Sequence, residues 1–79
     1  MKIVYTDYAE ETLKEREISK KIIESALLDP DEVVDGQKDR KIAHKIIKNK
    51  LLRVAYETEA NVYIVVTAYY TYPERYMTK

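Results

Sequence analysis

Seventy-nine residues with a single glycine, no cysteine and 14 acidic against 14 basic side chains describe one domain, 1–79, near the size at which an unaided hydrophobic core only just suffices. The composition excludes a disulfide scaffold and any thiolate metal site, and at 35% charged residues the chain reads as stiff and well solvated. The zero net charge hides an asymmetry: residues 1–36 carry five basic and ten acidic groups, residues 37–79 nine basic and four acidic.

In chain order, Lys2-Ile3-Val4-Tyr5 predicts a short strand. Asp7 with Glu10 three positions on has the form of a capping box opening a helix over about Tyr8 to Arg16, whose thin apolar stripe is Tyr8, Ala9 and Leu13. Ser19 caps a second helix, with Ile18 and Ile23 at the spacing of a hydrophobic staple. Ile22, Ile23, Ala26 and Leu27 are its core-facing stripe. Asp29-Pro30-Asp31 ends it, because proline cannot continue the backbone bonding.

Strands follow at Glu32–Asp35, Arg40–Lys48 and Lys50–Glu57, the first two separated by a loop at Gly36–Asp39. After a polar turn at Thr58–Asn61 comes a last strand from Val62 to Tyr70. In Lys50–Glu57, Leu52, Val54 and Tyr56 alternate with Leu51, Arg53, Ala55 and Glu57, the period of two that sends neighbours to opposite faces. In the last strand Val62, Ile64, Val66 and Ala68 fall on one face, and Tyr63, Val65, Thr67 and Tyr69 on the other. A tight turn around Asn49 joins the middle strands. A three-residue loop, Lys48–Lys50, pairs Ile46 with Leu52, His44 with Val54 and Ile42 with Tyr56, keeping the apolar set together and placing Lys45 beside Arg53 on the opposite face. The tail from Thr71 to Tyr76 predicts a turn or short helix. The order β-α-α-β-β-β-β is an α+β fold, with two helices on one face of a twisted antiparallel sheet and Lys41, Lys45, Arg53, Thr67 and Tyr69 on the open face.

Most of the positive charge lies in one run: Lys38, Arg40, Lys41, Lys45, Lys48, Lys50 and Arg53. Such a stripe suits a nucleic acid or acidic partner; the alternative is an edge strand kept soluble by lysines. Metal-free RNA cleavage needs a cation at phosphorus and groups that move protons to and from the reacting oxygens. Arg53 and Lys45 suit the first task, and Tyr69 and His44 are candidates for the others. In this register His44, the only histidine, lies between Ile42 and Ile46 on the covered face as a structural residue; a slip of one residue turns it outward. A lone histidine cannot make a zinc site, and with Gly36 the only glycine there is no phosphate-cradling loop, so no cofactor and no metal is expected. No apolar run suggests a signal peptide or a membrane span, and the expected location is the cytoplasm.

Thr6-Asp7-x-Ala9, Lys14-Glu15-Arg16-x-Ile18-Ser19, Asp29-Pro30-Asp31-Glu32-Val33, Leu51-Leu52-Arg53-Val54-x-Tyr56 and Val65-Val66-Thr67-Ala68-Tyr69-x-Thr71 with Arg75-Tyr76, taken in this order and spacing, resemble the RelE/ParE-like superfamily of small toxins, nearest its BrnT-like short branches. The resemblance spans most of the chain. It implies a RelE-like fold, a toxin of a toxin–antitoxin pair, and functional groups at Tyr69, Arg75 and Tyr76 near the end of the last strand. It also implies a metal-independent endoribonuclease or RNA-binding protein acting on RNA, including ribosome-bound mRNA, and neutralised by a small antitoxin protein. Tyr8, Thr12 and Tyr69 depart from the pattern of those relatives. The departures favour the alternative, a catalytically inactive module that holds an acidic partner protein on its basic sheet face. A domain that only self-associates through its edge strands would neither bind nor cut RNA.

Overall fold

A computed structural model describes residues 2–76. The chain forms β1 (Lys2–Tyr5), α1 (Asp7–Arg16), α2 (Lys20–Leu28), β2 (Glu32–Asp35), β3 (Lys41–Ile47), β4 (Lys50–Glu59), β5 (Val62–Thr71) and α3 (Pro73–Tyr76). The fold is α+β: one five-stranded sheet in the order β1-β5-β4-β3-β2, with α1 against β5 and β1 and α2 against β3 and β4.

Local chemistry sets the helix ends. Thr6, not Asp7, is the N-cap of α1, its hydroxyl accepting the Ala9 N–H, which places Asp7 and Glu10 in the first turn near the positive end of the helix dipole. Starting the helix at Asp7 puts Ala9, Thr12 and Leu13 on the buried stripe and leaves Tyr8 61% exposed, so the expected role of Tyr8 in the core does not hold. Glu17 takes a left-handed φ of 57° at the C-cap, and the Ile18 N–H returns to Leu13 O at 2.9 Å, the wrap that turns the buried Ile18 inward. Ser19 caps α2 through the Ile22 N–H, and Ile23, Ala26 and Leu27 are buried. The core lies between the helices and one sheet face, where these side chains meet Ala43, Leu52, Val54, Tyr56, Val65 and Ala68.

Three expectations about the sheet are corrected. The sheet is mixed, not antiparallel: β1 runs parallel to β5, Lys2 opposite Val62 through Tyr5 opposite Val65. Nothing in a four-residue strand's own pattern sets its direction. Here it is set by the chain passing straight through Thr6, whose N–H donates to Val65 O at 3.1 Å, into a helix that packs on β5.

Second, β3 and β4 are joined by two residues, Lys48-Asn49, with Ile47 opposite Lys50 and His44 opposite Arg53. This is one residue from the register that hydrophobic parity suggests. The left-handed φ, 59°, falls on Lys48 and not on Asn49. Ala43 lies under the helices, while Ile42, His44 and Ile46 share the second face with Leu51, Arg53 and Ala55. Lys41 and Lys45 consequently leave the Arg53 face; Lys45 reaches the α2 C-cap, its Nζ 2.8 Å from Asp29 O.

Third, β5 carries a bulge. Ala55 pairs with Thr67 and Tyr56 with Val65, so Val66 is the extra residue. Its effect is to split the expected faces: Tyr63, Val65, Ala68 and Tyr70 pack toward the helices, leaving Thr67 and Tyr69 opposite Ala55 and Arg53 on the second face. α3, begun by Pro73 where proline suits a first turn, folds back over that face, its Tyr76 ring 3.8 Å from the Arg53 guanidinium carbon.

An arginine-centred candidate site on the second sheet face

Adjacent strands and α3 bring one chain of polar groups together. The corrected register sets His44 and Arg53 side by side, and β5, phase-shifted by its bulge, presents Tyr69 next to Arg53. Glu32, opposite His44 on β2, approaches His44 Nδ1 to 2.9 Å through Oε1, and Arg53 Nε lies 3.1 Å from His44 Nε2. Arg53 cannot accept a hydrogen bond, so Nε2 is the acceptor, and the ring proton sits on Nδ1, donated to Glu32. Arg53 Nη1 donates to the Tyr69 hydroxyl, and the Tyr76 ring lies against the same guanidinium.

Burial, first, and then the neighbouring Tyr76 side chain push the Tyr69 hydroxyl above its ordinary range, with the Arg53 charge pulling it back. Tyr69 is therefore a protonated donor at neutral pH. His44 is 1% exposed with both ring nitrogens engaged, as a buried imidazole requires.

Arg16 completes the surroundings of Tyr69. β1 covers β5 only as far as Val65, and past that point Arg16, at the end of α1, donates from Nη1 to Ala68 O at 2.8 Å. This places its guanidinium carbon 5.9 Å from the Tyr69 ring, with that of Arg53 at 5.6 Å. Two cations thus approach one aromatic ring. Arg53 commits two of its five N–H donors within the network and Arg16 one to Ala68 O, leaving donors on both for an anionic oxygen.

Of the predicted catalytic set, Arg53, Tyr69 and His44 come together. Lys45 stands on the other face, and Arg75 is exposed on α3 one residue before Tyr76. The predicted nucleic-acid stripe is dispersed. Lys38 and Arg40 flank one end of β3 and Lys48 and Lys50 the other, roughly 20 Å away at strand rise. Arg40 pairs with Glu57 at 3.0 Å and Lys41 with Asp35, exposed ion pairs of little energetic weight. Lys48 and Lys50 instead rim a hollow floored by Ile22, Ile47 and Tyr70. Tyr76, which the resemblance places among the functional groups after the last strand, does lie against Arg53. Sequence reasoning missed Glu32 and Arg16 as site members, and only Glu32 had a signal, since a strand pairing with β3 must set some side chain beside His44. Among the described residues no group of three or more His, Cys, Asp or Glu side chains could hold a metal ion, and no helix is long and apolar enough to cross a membrane.

The fold and site define a small α+β domain with an arginine network on the sheet face opposite its two main helices. Residues 5–70 match the family described as a domain of unknown function, DUF4258, and the chain belongs to that family. No curated protein and no solved structure matches the chain.

Proposed function

We propose that this protein is a RelE-like toxin-type RNA-binding protein that holds an RNA phosphate at Arg53 and Arg16, with metal-independent endoribonuclease action at Tyr69 and Tyr76. The observation that carries the reading is Arg53 itself: a guanidinium fixed by His44 and Tyr69, stacked on the Tyr76 ring and still bearing free donors. Such a group suits a phosphodiester in the ground state and the more highly charged phosphorane better still. The 2′-oxygen closes on phosphorus as the bond to the 5′-oxygen breaks; the 2′-hydroxyl proton goes to water, and Tyr76, beside the protonated Tyr69, gives its proton to the departing 5′-oxygen. Exposed aromatic surface on Tyr76, 41% accessible, suits stacking with an unpaired base.

Incubating the purified chain with a mixed-sequence single-stranded RNA in EDTA tests this reading. Cleavage by the parent and its loss in Arg53→Ala and Arg16→Ala is the expected outcome; RNA neither bound nor cut at low salt overturns it.

One observation favours the alternative, a module of the same fold that binds an acidic partner protein, such as an antitoxin, without turnover. The hollow between Ile22, Ile47 and Tyr70 has an apolar floor and the Lys48 and Lys50 ammonium groups at its rim, which suits an acidic segment with an apolar anchor. Binding of such a segment, lost on Lys48→Glu with Lys50→Glu, combined with RNA left intact, is the outcome specific to this reading.

A further inference from the structure

The geometry points to Glu32 and His44 as a positioning pair for Arg53: Glu32 holds the imidazole as its Nδ1–H form, Nε2 is thereby left to accept the Arg53 Nε–H, and a proton placed on Nε2 releases the guanidinium. His44 is in this account neither base nor acid toward substrate but a positioning residue, and only its action on RNA rests on the function proposed above.

An arginine has five donors and no acceptor, so the 3.1 Å contact between Arg53 Nε and His44 Nε2 exists only while Nε2 carries a lone pair. The Nδ1 contact to Glu32 at 2.9 Å supplies the acceptor that selects this tautomer, in the way that carboxylates fix the rings of other functional histidines. The ring is 1% exposed, so water cannot replace either partner freely, whereas the Glu32 side chain is 40% exposed and in touch with solvent. A second ring proton would put an N–H of a cation against the N–H of another cation. The contact would then be lost, and with it the aim of the guanidinium, leaving Arg53 held by Tyr69 and the Tyr76 ring alone.

Among the described residues, the charged and titratable groups facing His44 are Glu32 from β2, Arg53 from β4, and Tyr76 from α3, whose ring centroid is 6.2 Å away; Tyr69 on β5 acts through Arg53. Asp31, next to Glu32, is occupied elsewhere, its carboxylate accepting the Ile46 N–H at 2.7 Å. A solvent-side carboxylate on one nitrogen and a functional cation on the other make His44 a link between external pH and Arg53.

The test uses the full chain labelled with nitrogen-15, following the imidazole nitrogens and the Arg53 Nε–H as pH is lowered, beside binding of a short single-stranded RNA. The expected result is the Nδ1–H tautomer at neutral pH with a slowly exchanging Arg53 Nε–H. That signal is lost in step with the ring's own protonation, and RNA affinity falls roughly tenfold over the same pH range, the scale of one charge-assisted hydrogen bond. Simple addition of a positive charge would instead strengthen RNA binding, so the sign separates positioning from bulk electrostatics.

Glu32→Ala, which changes a partly exposed side chain, should admit the other tautomer and weaken the Arg53 signal at neutral pH. His44→Gln retains a donor and an acceptor without a titratable ring, and should keep the Arg53 signal while abolishing its pH dependence. An Nε2–H tautomer in the parent, or an Arg53 Nε–H indifferent to ring protonation, overturns the inference, and these parent readouts decide it even if a variant fails to fold. RNA affinity that rises as the ring protonates also overturns it. Absence of RNA binding at every pH defeats the proposed function instead, and leaves the tautomer and Arg53 signals to decide this point.

Discussion

Tyr5 carries its hydroxyl into the interior, where it meets no hydrogen-bond partner among the described residues. A buried polar group left unmade costs about 1–3 kcal/mol. Tyr5→Phe removes the liability and keeps the ring against the Lys20 ammonium, 4.7 Å from its centroid. Urea denaturation should show the variant as stable as the parent or up to about 1 kcal/mol more so; a clear loss would show that the hydroxyl has a partner in solution. Arg53 is the opposite case. Arg53→Ala leaves His44 Nε2 without its donor and Tyr69 without its cation, and should cost about 2 kcal/mol by the same assay in addition to RNA binding. Arg16→Ala removes an exposed guanidinium, its bond to one edge carbonyl and its approach to the Tyr69 ring. The fold should survive it, and the slope of log affinity for single-stranded RNA against log salt should fall by about 0.7. These two residues were unequally legible. Arg53 stands out in an alternating strand, but Arg16 ends an acidic helix, and nothing in its neighbourhood shows that it meets Ala68, 52 positions away.

At the scale of elements, all three connections between antiparallel neighbours place an ordinary residue in left-handed backbone: Lys38 and Lys48 at φ 59° and Ala60 at φ 54°. An L-residue bears roughly 1–2 kcal/mol there, a strain that glycine escapes at the expense of a more disordered unfolded chain. Ala60→Gly, at an exposed turn, is expected to raise the melting temperature, with a net gain of about 0.5 kcal/mol after that entropic offset. A drop would mean that the Ala60 methyl packs usefully. The existence and order of every strand and of both main helices followed from period-two and helical patterning with their caps. The pairing register did not, because apolar parity presumes that the second face of β3 and β4 is merely wet. That face instead holds a polar network under α3, so His44 can lie opposite Arg53 without any mismatch. The slip also carried Lys45 away from Arg53, which is why the predicted phosphate pair dissolved.

For the molecule as a whole, 79 residues imply a stability of only about 4–12 kcal/mol, and much of its aromatic surface is tyrosine. Burial is the leading cause of the raised hydroxyl pKa at Tyr5, Tyr56 and Tyr69. Each folded-state value lies above the unfolded value near 10, so the unfolded chain gives up these protons first. The stability they represent is complete below about pH 10 and disappears as pH climbs through the folded values. Alkaline titration should therefore show the last part of the tyrosinate absorbance, that of these three, appearing together with loss of near-ultraviolet circular dichroism. Ionisation of all eight tyrosines before that signal is lost would contradict the burial of the three. The global layout was legible as helices on one side of a sheet, but the parallel β1–β5 pair was not, since the direction of an edge strand is settled by what it leads into.

The bulge at Val66 acts as a phase shifter in a code that is read two residues at a time. Upstream of it the odd-numbered positions of β5 face the helices; downstream the even-numbered ones do. The site therefore depends on a residue count as much as on residue identities. Straightening the strand with all its residues kept would rotate Tyr69 into the apolar layer and set Ala68 opposite Arg53. Deleting Val66 along with the bulge would leave Val65 opposite Tyr56, Thr67 opposite Ala55 and Tyr69 still beside Arg53, so a chain one residue shorter at this point should keep its chemistry.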